Sequence, residues 1–101
     1  GSAPRLHHAD ALHFLLESQE QYDLVLLDLF SQDGNPLLLF QAPIYQALAN
    51  CLHGTLIINL LPRTHLELAQ AKKLAEEWIG PTTAHGVPGY RNVILHATNL
   101  A

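Results

Sequence analysis

The run Tyr22–Phe30, YDLVLLDLF, is the feature that most constrains the fold of this chain. Its side chains are apolar at nearly every position, and a strand that is apolar on both faces is typical of the centre of a parallel sheet. The run carries Asp28 near its end. Because ligands of open α/β sheets bind at the carboxyl ends of the strands, the sequence predicts that Asp28 is a site residue. The alternative is an ordinary strand-end acid that bonds to a neighbouring backbone N–H.

The composition is that of one small globular domain. The chain has 101 residues, of which 49% are hydrophobic and 14% are charged, and these values predict a packed core. Residues 1–2 are interpreted as an expression-tag remnant and residues 3–101 as a single α/β domain. A net charge of −4 argues against nucleic acid as a partner, because phosphate binding needs clustered Lys and Arg. No stretch approaches the ~20 apolar residues of a membrane helix, so no membrane partner is expected.

The cysteine and the histidines do not form a recognisable metal motif. Cys51 is the single cysteine, which fits a reducing compartment and predicts a cytoplasmic location. His7, His8 and His13 are close in sequence, and Cys51-x-His53 is a short pair, but no spacing matches a zinc site. No metal is therefore predicted. Cys51 lies on the apolar stripe of a predicted helix, so it is interpreted as a core residue.

Helix and strand signals alternate along the chain. The predicted elements are a helix capped by Asp10, a strand at 23–30, a helix from Pro43 to about Leu52, a strand at 55–61, a helix opened by Thr64 and ended by Gly80, and strands at 82–87 and 91–98. Thr64 to Glu67 is a capping-box signature. Gly54 is expected to cap the end of the preceding helix, and Trp78 is expected to be a core anchor.

This order, α-β-α-β-α-β-β, predicts an α/β fold. Strands that alternate with helices form a parallel sheet with helices on its faces, and the closing pair of strands adds one antiparallel strand. We therefore expect a three-layer α/β/α arrangement around a partial Rossmann-like sheet. The sheet should be mostly parallel, with one antiparallel strand near its C-terminal edge.

The elements and their residues resemble the second half of the class I methyltransferase fold, in its spermidine-synthase-like branch. The resemblance covers roughly residues 9–98. It rests on Asp10-Ala11 followed by Phe14-Leu15, on Tyr22-Asp23 opening a strand that ends in Asp28, on Pro36 after a polar loop, and on the pattern Tyr45, Leu48, Leu52, Gly54 before the next strand.

The resemblance implies roles for several of these residues. The acid matching Asp28 is the catalytic base that deprotonates the attacking amine of a polyamine, because a protonated amine is not a nucleophile. The acid matching Asp10 accepts a hydrogen bond from adenine, and the loop around Pro36 lines the nucleoside. The second acid of the family falls on a serine here, so Asp33, two residues later, is the candidate substrate contact. Asn59 lies near the same ligand edge and is a further substrate-binding candidate, with a structural amide as the alternative.

The cofactor implied for a complete parent is S-adenosylmethionine or its decarboxylated form. Its nucleotide-binding half carries a Gly-rich turn, and no Gly-x-Gly-x-x-Gly occurs in this chain. The resemblance therefore implies a carboxyl-terminal half that is inactive alone and binds no cofactor by itself. Whether the isolated chain is an enzyme stays open.

The alternative function is a non-catalytic oligomeric module for structure or interaction. Without the first strands of the fold, strand 23–30 becomes an open apolar edge. Long apolar edges do not stay unpaired in solution. A homodimer formed through the edge or the faces of strand 23–30 is therefore predicted.

Overall fold

The computed structural model describes residues 5–6, 15–17, 19–29 and 34–99. Within these residues the chain forms a mixed α/β fold. Its strands are β1 (Arg5–Leu6), β2 (Tyr22–Leu27), β3 (Leu52–Leu60), β4 (Thr82–Gly86) and β5 (Val93–Thr98). Its helices are α1 (Ala42–Cys51) and α2 (His65–Trp78), with a 3-10 helix at Leu37–Phe40 and a helical stretch at 15–17. No described helix is long and apolar enough to cross a membrane.

The strands form one sheet in the order β1-β2-β3-β5-β4. β1, β2 and β3 are parallel, and β5 runs antiparallel between β3 and β4. The parallel pair β2 and β3 needs a crossover, which the segment containing α1 supplies. β4 and β5 are joined by a short turn in which the Val87 amide donates to the Asn92 carbonyl over 3.2 Å. Asp28 follows the end of β2 and lies at the carboxyl edge of the parallel strands.

One face of the sheet is buried beneath the helices over β2, β3 and most of β5, whereas the edge strand β4 is buried only at Thr82. Alternate strand residues on this face are buried together with the inner sides of α1 and α2 in one apolar cluster. The strand members of that cluster include Val25, Leu27, Leu56, Ile58, Leu60, Leu95 and Ala97. The predicted stripe of α1 is confirmed, since Ile44, Leu48 and Cys51 are buried. The period-two burial follows from the alternation of side chains along a strand.

The opposite face of the sheet is only half-buried. Leu24 and Leu26 of β2 and Ile57 of β3 alternate with the buried positions and have intermediate exposure. The expectation that the run from Tyr22 to Phe30 is buried on both faces is therefore wrong for its described residues. An apolar strand is suited to burial on both faces, but each face is buried only where another element of the structure covers it. The third layer expected from the sequence is not formed by the residues that the structure describes.

Helix α2 begins as the capping box predicts. Thr64 precedes the helix, and its hydroxyl accepts a hydrogen bond from the Glu67 amide over 3.1 Å. The Glu67 carboxylate returns to the Arg63 amide over 2.8 Å. At the other end, the prediction that Trp78 anchors the core is wrong, because its side chain is 37% exposed. Ile79, the next residue, occupies the buried position there at 7% exposure.

Gly54 does not cap α1. The helix ends at Cys51, and β3 begins at once with Leu52, so Gly54 lies inside the strand. Its φ is +157°, and a Cβ built on it would overlap the backbone oxygen of Asp23 in the neighbouring strand. The register of β2 and β3 shifts at this point. Glycine is required here by the close approach of two backbones, as is common at strand irregularities.

Two buried titratable side chains have structural roles in the helical layer. The Tyr45 hydroxyl donates to the Leu39 carbonyl over 2.7 Å and joins α1 to the 3-10 helix. Burial raises the pKa of the Tyr45 phenol, which keeps it protonated as this donor. Burial also raises the pKa of the Cys51 thiol. A buried thiol with a raised pKa is inert, in agreement with the interpretation of Cys51 as a core residue.

Candidate functional site

Three polar side chains form a connected row at the carboxyl edge of the sheet. The Asn59 side-chain amide donates to the Asp28 carboxylate, with 3.4 Å between Nδ2 and Oδ1. The Asn92 amide in turn donates to the Asn59 side-chain oxygen over 3.1 Å. The row, defined by Asp28, Asn59 and Asn92, therefore spans the ends of β2 and β3 and the start of β5. All three residues are half-buried.

The folding of each strand explains why these residues meet. Asp28 follows β2, and Asn59 is the penultimate residue of β3, so parallel pairing brings them to one edge. Asn92 immediately precedes β5, whose antiparallel course beside β3 returns the chain to the same edge. The two bonds of Asn59 fix the orientation of its amide, since its nitrogen faces a carboxylate and its oxygen faces an amide donor.

The row presents a carboxylate that a donor amide orients in a partly dehydrated position. A carboxylate accepts protons and attracts ammonium groups, and both properties suit general-base chemistry on an amine. Asn59 can use its amide only for orientation, because an amide does not titrate. The geometry is therefore that of one potential base, Asp28, with a positioning partner.

The predicted site residues are only partly brought together. Asp28 and Asn59 are in contact, as the shared ligand edge implies. Pro36 is half-buried and immediately precedes the 3-10 helix, and its carbonyl accepts a hydrogen bond from the Leu39 amide over 3.1 Å. The predicted positions Asp10 and Asp33 lie outside the residues that the structure describes.

Asn35 is a site-edge residue that the sequence analysis does not single out. Its side-chain oxygen accepts a hydrogen bond from the Leu61 amide over 2.6 Å, which ties the loop after β2 to the end of β3. The residue is 8% exposed, and its Nδ2 has no partner among the described residues. Composition marks the segment as a loop, but it does not tell which polar side chain turns inward.

A surface cleft of about 350 Å³ opens at the same edge, and we call it the arginine cleft. Its walls include Arg63, Thr64 and His65 at the start of α2, together with Arg91 and Val93 from β5 and the turn before it. The two arginines are distant in sequence, and the antiparallel placement of β5 beside β3 brings them together. No local motif in the sequence signals this pairing.

The described residues contain no cluster that could hold a metal ion. Nowhere among them do three or more His, Cys, Asp or Glu side chains converge.

Comparison with known proteins identifies the fold. No protein-family model matches the sequence, and no curated protein matches it as a relative. Among solved structures, the chain is similar to human methyltransferase-like protein 13, whose crystal structure is in complex with SAH, with a TM-score of 0.79 and 19% identity. The match covers 90% of this chain and 47% of that chain, so this chain spans about half the length of its structural neighbour. At this identity the likeness establishes the fold, and the chain therefore has part of a class I methyltransferase-like α/β fold.

Proposed function

We propose that this chain is the carboxyl-terminal half of a transferase domain that uses S-adenosylmethionine or its decarboxylated form, of the spermidine-synthase-like branch. The observation that carries the proposal is the contact of Asp28 with Asn59 at the ligand edge of a methyltransferase-like sheet. The resemblance of Asp28 to the base of that branch agrees with its position. The structural neighbour binds SAH, S-adenosylhomocysteine, which makes this the cofactor class to test.

Asp28 is proposed to act on the acceptor amine. Its carboxylate attracts the protonated amine and takes one N–H proton, so that the nitrogen lone pair becomes available for attack. The cofactor, when bound in a complete domain, supplies the alkyl group that the nitrogen receives. Asn59 holds the carboxylate in place through the 3.4 Å hydrogen bond and is a positioning residue. Asp33 is the proposed second substrate contact.

The isolated chain is proposed to be inactive. Asp10 and Pro36 are proposed nucleoside contacts, but the Gly-rich turn that holds the rest of such a cofactor has no counterpart in the sequence. Binding to one side of a cofactor leaves most of its surface in water, so little affinity is expected.

Isothermal titration with SAH and with methylthioadenosine tests this proposal on the isolated chain. We expect no saturable heat for either compound, because the chain supplies only part of the site. Tight, saturable binding would show that the chain is competent alone. A longer protein serves as the positive control. If the coding sequence upstream of Ala3 encodes a Gly-rich turn, the protein that includes this upstream segment should bind SAH.

In that longer product, Asp28→Asn should lower the turnover of the amine acceptor by about 10²–10⁴-fold, the range of general-base catalysis. SAH affinity should stay unchanged, since Asp28 acts on the acceptor. Asp23→Asn is the matched control, because Asp23 lies near the start of β2, away from the ligand edge, with an exposed side chain. Equal turnover in the Asp28→Asn variant and the parent would exclude Asp28 as the base.

The half-buried face of the sheet favours a second candidate, a homodimeric structural or interaction module. Leu24, Leu26 and Ile57 lie on the face that no described helix covers. β1 pairs with β2 only opposite Leu26 and Leu27, so much of that edge of β2 has no strand partner among the described residues. A second copy of the chain would cover the face, the edge or both.

Light scattering should therefore give the mass of a dimer at tens of micromolar protein. Leu26→Lys should shift the protein to monomer, because it places a charge on the apolar face. Leu66→Lys is the matched control, since Leu66 is 81% exposed on α2 and lies away from that face. A stable monomer at high concentration contradicts the homodimer.

A further inference from the structure

We propose that the arginine cleft is a binding site for an oxyanion, a carboxylate or phosphate group, held by Arg91 and Arg63. Both arginines are in the cleft wall, which the start of α2 and the turn before β5 enclose. The alternation of side chains at the start of β5 agrees with the position of Arg91 in the cleft wall. Arg91 and Val93 line the cleft, whereas Asn92 between them turns the other way and bonds to Asn59.

The charge balance of the cleft is positive in an acidic chain. The protein has five Lys and Arg residues against nine Asp and Glu, yet two of its basic side chains line this one cleft. Arg63 shares its charge with Glu67, with 3.2 Å between Nη2 and Oε2. No described residue forms an ion pair with Arg91. Within the described part of the chain, one guanidinium of the cleft is paired with a carboxylate and the other is not, a combination that attracts an anion.

The cleft also offers donor groups of a kind that suits an oxyanion. A guanidinium presents a planar fork that matches the two oxygens of a carboxylate or phosphate. His65, the first residue of α2, lines the cleft. The first turn of a helix favours negative charge because its amides point outward and the helix dipole is positive there. α2 has 14 residues, long enough for this contribution.

The cleft is separate from the polar row. Arg91 and Val93 line the cleft on the helix-covered side of the sheet, whereas Asn92 turns to the other face and bonds to Asn59. The oxyanion site therefore does not rest on the proposed function.

NMR titration of the ¹⁵N-labelled chain tests the site with sodium phosphate and, separately, sodium acetate at constant ionic strength. We expect a saturable shift of the His65 amide, and the anion that saturates at lower concentration identifies the chemistry. Arg91→Gln should weaken binding by about tenfold or more, since it removes a charge-assisted fork. Arg91→Lys keeps the charge but lacks the fork, so its affinity for the anion should lie between those of the parent and of Arg91→Gln.

Lys73→Gln is the matched control, because it removes the same charge from an exposed position outside the cleft. It should leave both titrations unchanged. Linear, non-saturating shifts with both anions, or an equal loss in the Lys73→Gln variant, would overturn the proposal. The experiment needs no cofactor and no turnover, so a negative result says nothing about Asp28. A negative result for Asp28→Asn likewise says nothing about the cleft.

Discussion

Replacing Gly54 with alanine should lower the free energy of unfolding by about 3 kcal/mol or more, because the new methyl group has no room. A Cβ on Gly54 would overlap the backbone oxygen of Asp23, and a backbone atom in a paired strand cannot move aside as a side chain can. The two strands must separate locally, and the pairing of β2 with β3 is the largest parallel contact in the sheet. Urea unfolding followed by far-UV circular dichroism measures the loss.

Gly86→Ala is the control for this substitution. Gly86 also lies in a strand, but a Cβ on it would meet nothing within 4 Å. We expect a change of less than about 1 kcal/mol, in the stabilising direction, because alanine loses less backbone entropy than glycine on folding. Similar stability of the two alanine variants would show that β2 and β3 do not approach closely at Gly54.

Replacing each of two adjacent isoleucines with alanine should lower the free energy of unfolding by very different amounts. Ile58 is fully buried beneath the helices, so Ile58→Ala should cost about 3 kcal/mol through lost burial and the cavity it leaves. Ile57 points to the half-buried face, so Ile57→Ala should cost about 1 kcal/mol when measured on the monomer at low protein concentration. Denaturant midpoints of both variants, compared with the parent, give the two values.

Protein concentration serves as the control here. If a second copy covers the open face, the cost of Ile57→Ala should grow with concentration, because association stabilises only the parent. The cost of Ile58→Ala should not depend on concentration to the same degree. Equal costs at low concentration would mean that both faces of β3 are buried in the single chain.

Local sequence signals predicted much of the fold. Thr64 and Glu67 mark the start of α2 because both partners of the capping box lie within one turn. The apolar stripe around Leu48 predicts the buried side of α1 because helical periodicity depends only on spacing. Asp28 and Asn59 could be placed at one edge because the carboxyl ends of parallel strands meet there.

Contacts between distant segments could not be predicted in the same way. The need for glycine at Gly54 depends on the approach of Asp23 from another strand, and composition alone suggests a helix cap instead. The exposure of Trp78 depends on where the helix ends relative to the core, and helical spacing gives no information about that.

The linear sequence was enough to predict the order of elements from β2 to β5, the α/β class of the sheet and the carboxylate at its ligand edge, but it did not predict β1. These properties follow from spacing and local backbone preference, which are present in the linear chain. The half-buried face of the sheet and the cleft shared by Arg63 and Arg91 became visible only in the folded chain. Both results depend on how strands far apart in sequence pair and on which faces the helices cover, and neither is encoded at a single position.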